Sequence, residues 1–144
     1  MRRRLLLLIV QALPALRLSG AAAAGPPAPA DAREVRAVVE AQLDAFARDD
    51  AVRAFSYAAP ALRAMFRDPQ RFMAMVRSSY AVVYRPSSVA FLIAEADGDE
   101  VVQPVHLTDA TGGLWLAVYR LQRQPDRSWR IAGCELAPST ARTT

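Results

Sequence analysis

Between residues 35 and 46 apolar side chains recur every three or four positions. Beyond residue 88 they alternate, or run together in short stretches closed by turn residues. In the first region Val35, Val38, Val39, Gln42, Leu43 and Phe46 share one face, and Arg33, Arg36, Glu40, Asp44 and Arg48 fall mostly elsewhere. That pattern predicts an amphipathic helix of about four turns. Asp31, with Glu34 three residues on, has the spacing of a capping box at its start. Asp49-Asp50 ends this helix or caps a short second one carrying Val52, Phe55 and Tyr57. Ala59-Pro60 and Asp68-Pro69 each place proline at the first position of a further helix. One of these bears Leu62, Met65 and Phe66; the longer one carries a stripe of Phe72, Met73, Met75 and Val76, read as core.

After Ser78-Ser79 the period changes. Tyr80 to Tyr84 is β-rich and stops at Arg85-Pro86. Ser88 to Ala96 reads as a strand, Asp97-Gly98 as a hairpin turn and Glu100 to Thr108 as the partner strand. Pro104 lacks an amide hydrogen, so that partner must be an edge or carry a bulge there. Asp109 to Gly113 forms the next turn. Leu114 to Leu136 is the most clearly patterned stretch, a hairpin of two β-rich arms around Pro125-Asp126. Helices followed by consecutive antiparallel strands predict an α+β fold, with N-terminal helices packed on one face of a curved antiparallel sheet. Both faces of the strand Leu114 to Gln122 are apolar: Leu114, Leu116 and Val118 on one, Trp115, Ala117, Tyr119 and Leu121 on the other. A sheet covered on one side alternates more cleanly, which points to a homodimer burying the second face.

The start of the chain changes the reading of its charge. Met1-Arg2-Arg3-Arg4, an apolar run from Leu5 to Leu16 and small residues from Ser19 to Ala30 form the three parts of a secretory signal. The apolar run is shorter than the roughly 20 residues of a membrane span. Residues 1–30 are therefore expected to be signal and linker, 31–137 a single domain and 138–144 a flexible tail, giving an exported, periplasmic or secreted protein without a membrane segment after cleavage. Cleavage fits after either Ala24 or Ala30. The chain has 18 arginine and lysine residues, all arginine, against 14 acidic residues. Four of the arginines lie in the signal, so 14 face 14 after removal, and the balance gives no support to nucleic-acid binding. Cys134 is the only cysteine, so no internal disulfide can form, and a thiol within a strand reads as buried.

Two stretches carry a family resemblance: VVEAQLDAFARDDAVRAFSYAAPALRAMF with PQRFMAMV, and GGLWLAVYRLQRQPDRSWRIAGCEL. Together, over Val35 to Leu136, they resemble a family of small exported bacterial proteins catalogued as a domain of unknown function. That family is similar to the nuclear transport factor 2-like (ketosteroid-isomerase-like) fold, a cystatin-like cone. The resemblance implies a cone whose mouth holds a small apolar molecule. Its walls would be Phe46, Phe55, Tyr57, Phe66, Phe72 and Met75 from the helices, with Phe91, Trp115, Tyr119, Trp129 and Ile131 from the sheet. Isomerase-like members of the fold need a carboxylate base and acidic donors in the pocket; no matching pair maps onto this sequence, and a shared fold does not carry a function.

Candidate chemistry is sparse. His106, the only histidine, stands near Asp109 in sequence, with Tyr119 expected across a hairpin, a set that could act as acid and base near neutral pH. Three positions apart on a strand, however, His106 and Asp109 point to opposite faces. One histidine and one cysteine fall short of a zinc set, and Glu95, Asp97, Asp99 and Glu100 surround a hairpin tip without calcium-loop spacing. No phosphate loop or serine nucleophile motif is present, so neither metal nor cofactor is expected. Arg120, Arg123, Arg127 and Arg130, interleaved with Tyr119 and Trp129, read as cation–π partners and a solvated face. Three readings follow, in order: a non-catalytic domain binding a small apolar or amphipathic ligand, an isomerase- or hydratase-like enzyme, and a dimeric interaction module of the cell envelope.

Overall fold

The computed structural model describes residues 24–140; most of the expected signal segment and the last four residues lie outside them. Helix formation starts at Pro29 rather than at Asp31: α1 runs Pro29–Ala47 with Ala28 at its cap. Proline at the first position loses no hydrogen bond and presets the helical φ, which moves the expected start two residues upstream. Asp31 falls in the first turn and makes no cap, so the capping box does not form. Its carboxylate instead receives Arg123 Nη2 at 2.7 Å and Trp129 Nε1 at 3.3 Å. Four further helices follow, α2 Ala51–Ser56, α3 Pro60–Phe66, α4 Pro69–Ser79 and α5 Ala81–Tyr84. Asp50 and Asp68 cap α2 and α4 by accepting the amides of Arg53 and Arg71. Asp49, at φ +55, leaves the helical path and receives Arg77, Arg85 and the Tyr84 hydroxyl, tying the α1–α2 corner to α4 and α5.

The Tyr80–Tyr84 segment is one turn of helix, a correction to the β reading. Val82 and Val83 are buried side by side there, which the alternation of a strand covered on one face would forbid. The strands are β1 Ser88–Phe91, β2 Glu95–Asp97, β3 Glu100–Thr108, β4 Leu114–Arg123 and β5 Trp129–Pro138. All pairs are antiparallel, in the order β1-β3-β4-β5, with β2 also on β3. The single strand expected over Ser88–Ala96 is thus two, broken opposite Pro104. Leu92 donates its amide to the Pro104 carbonyl at 3.0 Å. Proline cannot return the second bond of that antiparallel pair. The buried Gln103 side chain replaces it, donating Nε2 to the Leu92 carbonyl at 2.9 Å and to the Pro104 carbonyl at 2.8 Å. A second irregularity falls between Arg120 and Leu121 against β5, and such bulges bend a sheet.

Register decides which face meets the helices. Val101, Gln103, Val105 and Leu107 lie opposite Leu121, Tyr119, Ala117 and Trp115. Most of this face is buried beneath Val35, Val39, Leu43 and Phe46 of α1 and Phe72, Met73 and Val76 of α4. Full burial of each such aliphatic or aromatic side chain stabilises by about 1.5–3 kcal/mol. Two outlying segments also join the sheet. Gly25 exchanges backbone hydrogen bonds with Ala96, and Tyr57 and Ala59 flank a parallel bridge onto Ile131. Residues 138–139, expected in the tail, are held too: Pro138 opposes Trp115 and Ser139 donates to the Leu114 carbonyl.

Two substitutions test these joints. Gln103→Leu deletes the donor that stands in for proline, and Asp31→Ala releases Arg123 and Trp129. Each is expected to cost about 1–2 kcal/mol, read as a lower urea midpoint at unchanged slope.

Candidate functional site

Between the helices and the β4–β5 hairpin lies a cavity of about 230 Å³. Helix α1 contributes Gln42 and Phe46, and α3 contributes Leu62, Met65 and Phe66. Phe72, Met75 and Val76 come from α4, Tyr80 and Val83 from the α4–α5 junction, and Tyr119, Ile131, Gly133 and Cys134 from the sheet. Three phenylalanines pack around Phe72, with ring centroids 5.5–5.9 Å away. Helix α3 forms the outer wall; it buries no residue fully, and Met65 is 71% exposed. The chain turns out of α3 at Arg67, φ +69, and into it through the backbone bridge at Ala58.

Among the described residues, those lining the cavity include none that is charged at neutral pH. Gln42, only 3% exposed, donates Nε2 to the Ala54 carbonyl at 3.1 Å. The Tyr80 hydroxyl donates to the Cys134 carbonyl at 3.3 Å. Tyr119 is the largest of the fully buried side chains; among the described residues its hydroxyl meets no oxygen or nitrogen partner, and its polar neighbour is the Cys134 sulfur. Burial lifts its pKa well above the ordinary tyrosine value, with the neighbouring Cys134 adding to the effect. Burial also pushes the Cys134 thiol up to about 12, against a smaller lowering by the Tyr119 hydroxyl. Both groups therefore hold their protons at neutral pH, and a thiol without thiolate character is a poor nucleophile.

Of the eleven pocket residues expected from the fold resemblance, Phe46, Phe66, Phe72, Met75, Tyr119 and Ile131 line this cavity. Phe55 packs behind it on Phe72, and the Tyr57 hydroxyl accepts from Arg53. Phe91 lies under the Arg36 guanidinium, 4.6 Å from the ring centroid. Trp129 sits under Arg123 at the other end of the sheet. Trp115 borders a separate cleft with Ser79, Tyr80 and Asp109. Sequence reasoning missed Gln42, Leu62, Met65, Val76, Tyr80, Val83, Gly133 and Cys134. Tyr80 and Val83 escaped because their segment read as β-rich, although Leu62 and Met65 already shared a helical stripe with Phe66.

The acid–base set is not brought together. His106 pairs with Ala90 and Leu116 on the face opposite Tyr119. Asp109 organises the β3–β4 turn: Oδ1 accepts from the amides of Thr111 and Gly113 and from the Thr111 hydroxyl, and Oδ2 accepts from Trp115 Nε1 at 2.9 Å. These bonds, led by that of Trp115, lower its pKa to about 2. A Cβ on Gly113 would lie 2.6 Å from Asp109 Oδ2, so a side chain there would push this carboxylate off its present bonds. Among the described residues no three His, Cys, Asp or Glu side chains are placed to hold a metal ion.

Helices covering one face of a curved antiparallel sheet, with an uncharged cavity between the layers, define an α+β protein of the cavity-bearing kind. The chain belongs to the family described as Domain of unknown function (DUF4864), whose model matches residues 28–144. No curated protein and no solved structure matches it.

Three outcomes follow from this geometry. Tyr119→Phe removes a buried hydroxyl whose polar neighbour is only a sulfur and is expected to leave thermal stability unchanged or raised, whereas Tyr80→Phe breaks a bond to a carbonyl and lowers it by about 1 kcal/mol. Cys134 in the native protein should react with a disulfide reagent at pH 8 far more slowly than in the urea-unfolded chain. The folded pKa of Asp109 lies below its unfolded value of 3.8, so its contribution to stability is present above that pH and lost as pH falls toward 2. Asp109→Ala should accordingly flatten acid unfolding in that window, measured by circular dichroism.

Proposed function

We propose that this chain is an exported, non-catalytic domain that holds a small apolar or amphipathic molecule between its helices and its sheet, in a cone of the nuclear transport factor 2-like kind, and works as a homodimer. The observation that carries the reading is the cavity itself, with six phenylalanine, methionine and leucine side chains on its helical wall. At about 230 Å³ it is larger than the roughly 150 Å³ that suffices for benzene. It falls short of the roughly 300 Å³ at which drug-sized pockets begin. A compact molecule of one or two rings, or a short acyl chain, fits that range. Against a catalytic role stand the separation of His106 from Tyr119 by the thickness of the sheet and a cavity lining to which, among the described residues, no carboxylate contributes.

A dimer is favoured by the outer sheet face. Leu114, Leu116 and Val118 lie there beside Thr108, His106 and Pro104, all only partly covered by their own chain. A second copy laid on this surface would complete its burial through a self-complementary contact. Export rests on the three-part N-terminal segment. The attachment of Gly25 to Ala96 favours cleavage after Ala24 over cleavage after Ala30, because the later cut removes both that bridge and Pro29 and Ala30, the first two residues of α1.

Native mass spectrometry of the protein recovered from the periplasm tests all three parts. The expected species is a dimer whose subunits begin at Gly25 and carry an additional small-molecule mass. Empty protein that also fails to take up benzene-sized probes would sink the ligand reading. A monomer would remove the dimer, and subunits retaining Met1 would remove the export signal.

A further inference from the structure

We propose that Met65 is a site of oxidation by hydroperoxides, and that its sulfoxide weakens the hold of the cavity on an apolar ligand. This deepens the ligand-binding reading above and rests on it. The first observation is where the sulfur stands. Among the described residues, the exposed large apolar side chains are Val52, Met65, Val89, Leu92 and Ile93, and of these Met65 alone lines the cavity. At 71% exposure it stands at the mouth, with water on one side and the apolar lining on the other. The other sulfurs are graded behind it. Met75 shares the lining but is half-buried, and Met73, 1% exposed, packs in the core. Cys134 also borders the cavity, but burial pushes its thiol up to about 12, and a thiol without thiolate character resists oxidation. A peroxide arriving from solvent therefore meets the Met65 thioether first.

The step balances with the peroxide as its only co-reactant. A sulfur lone pair attacks the nearer peroxide oxygen, the O–O bond breaks and a sulfur–oxygen bond forms. With hydrogen peroxide, the leaving hydroxide takes the proton of the transferred oxygen and departs as water. Sulfur loses two electrons and the peroxide gains them.

The second observation is how α3 is held over the cavity. It buries no residue fully, and among the described residues its side chains make no hydrogen bond or ion pair; Arg63 only lies over the Phe55 ring. Leu62, Met65 and Phe66 are its apolar contacts with the cavity. Oxidation turns one of these three flexible or aromatic groups into a polar one. Turned outward, the sulfoxide withdraws part of the wall from the ligand. Left inward, it sets an unpaired oxygen against an apolar lining. Either arrangement costs affinity, and reductases for the two sulfoxide epimers return the thioether.

The test titrates benzene into the purified protein at pH 7, followed by NMR chemical shifts, before and after hydrogen peroxide treatment stopped at one added oxygen per chain. Peptide mass spectrometry locates that oxygen. It is expected on Met65, ahead of Met75, with Met73 untouched until the chain is unfolded, and benzene affinity should fall by about five- to tenfold. Methionine sulfoxide reductases of both epimer specificities should restore it. Met65→Leu, compared with itself before and after the same dose, should show no change. Oxygen arriving first at Met75 or Met73, an unaltered affinity with Met65 oxidised, or an equal loss in Met65→Leu would each overturn the inference and leave the binding cavity standing. Failure of the untreated protein to bind benzene would overturn the cavity reading and the inference with it.

Discussion

Asp31 holds the two ends of the domain together. Its carboxylate sits in the first turn of α1, bonded to Arg123 at the end of β4 and to Trp129 at the start of β5. The Arg123 guanidinium in turn stacks 4.7 Å over the indole. This joint is only about a quarter exposed on either charged side chain, so water screens it less than the surface pairs elsewhere on the helices. It fixes where α1 begins to cross the sheet. From that point the spacing of Val35, Val39, Leu43 and Phe46 carries the helix across the buried face to the cavity. A helix free to slide at its N-terminus would lose the alignment of Phe46 with Phe72 that forms the cavity's inner wall.

The curvature of the sheet has a chemical origin of the same kind. Pro104 cannot donate in the ladder, and the chain answers by splitting its neighbour into β1 and β2 and filling the vacant donor position with the Gln103 amide. A buried glutamine on an otherwise apolar face is thus explained by the residue next to it. The opposite bulge at Arg120/Leu121 bends the long hairpin as well. Between these irregularities the inner face closes around Tyr119, and the space left beneath the short helices is the cavity.

How much of this could be read in advance depended on the range of the interaction. The α+β class, the closing hairpin, the four longer helices and the disturbance at Pro104 came from local periodicity and from proline, which act over a few residues. The position of Asp31 was misread because a local cap competed with a partner 92 residues away, and no spacing rule reports such a pair. Tyr80–Tyr84 was misread because valine and tyrosine favour strands in isolation, whereas here Val82 and Val83 both find the core from one helical turn. Of the aromatic residues named from the fold resemblance, Phe46, Phe66, Phe72 and Tyr119 border the cavity, while Phe55, Tyr57, Phe91, Trp115 and Trp129 lie elsewhere. The cavity's polar points, Gln42, Tyr80 and Cys134, were not legible, since their role depends on which groups they face across the sheet and helices.

The broken strand has one more effect, on how the molecule behaves among its own copies. An unpaired strand edge is a template for a foreign strand, and a long apolar one invites fibrous growth. Here that side of the sheet is cut into pieces of four and three residues, with β2 further occupied by Gly25. The exposed apolar residues near it, Val89, Leu92 and Ile93, straddle the interruption, so they do not form one continuous ladder. The same proline that forces glutamine into the core therefore leaves this edge of the sheet too fragmented to offer a continuous ladder to a neighbouring strand.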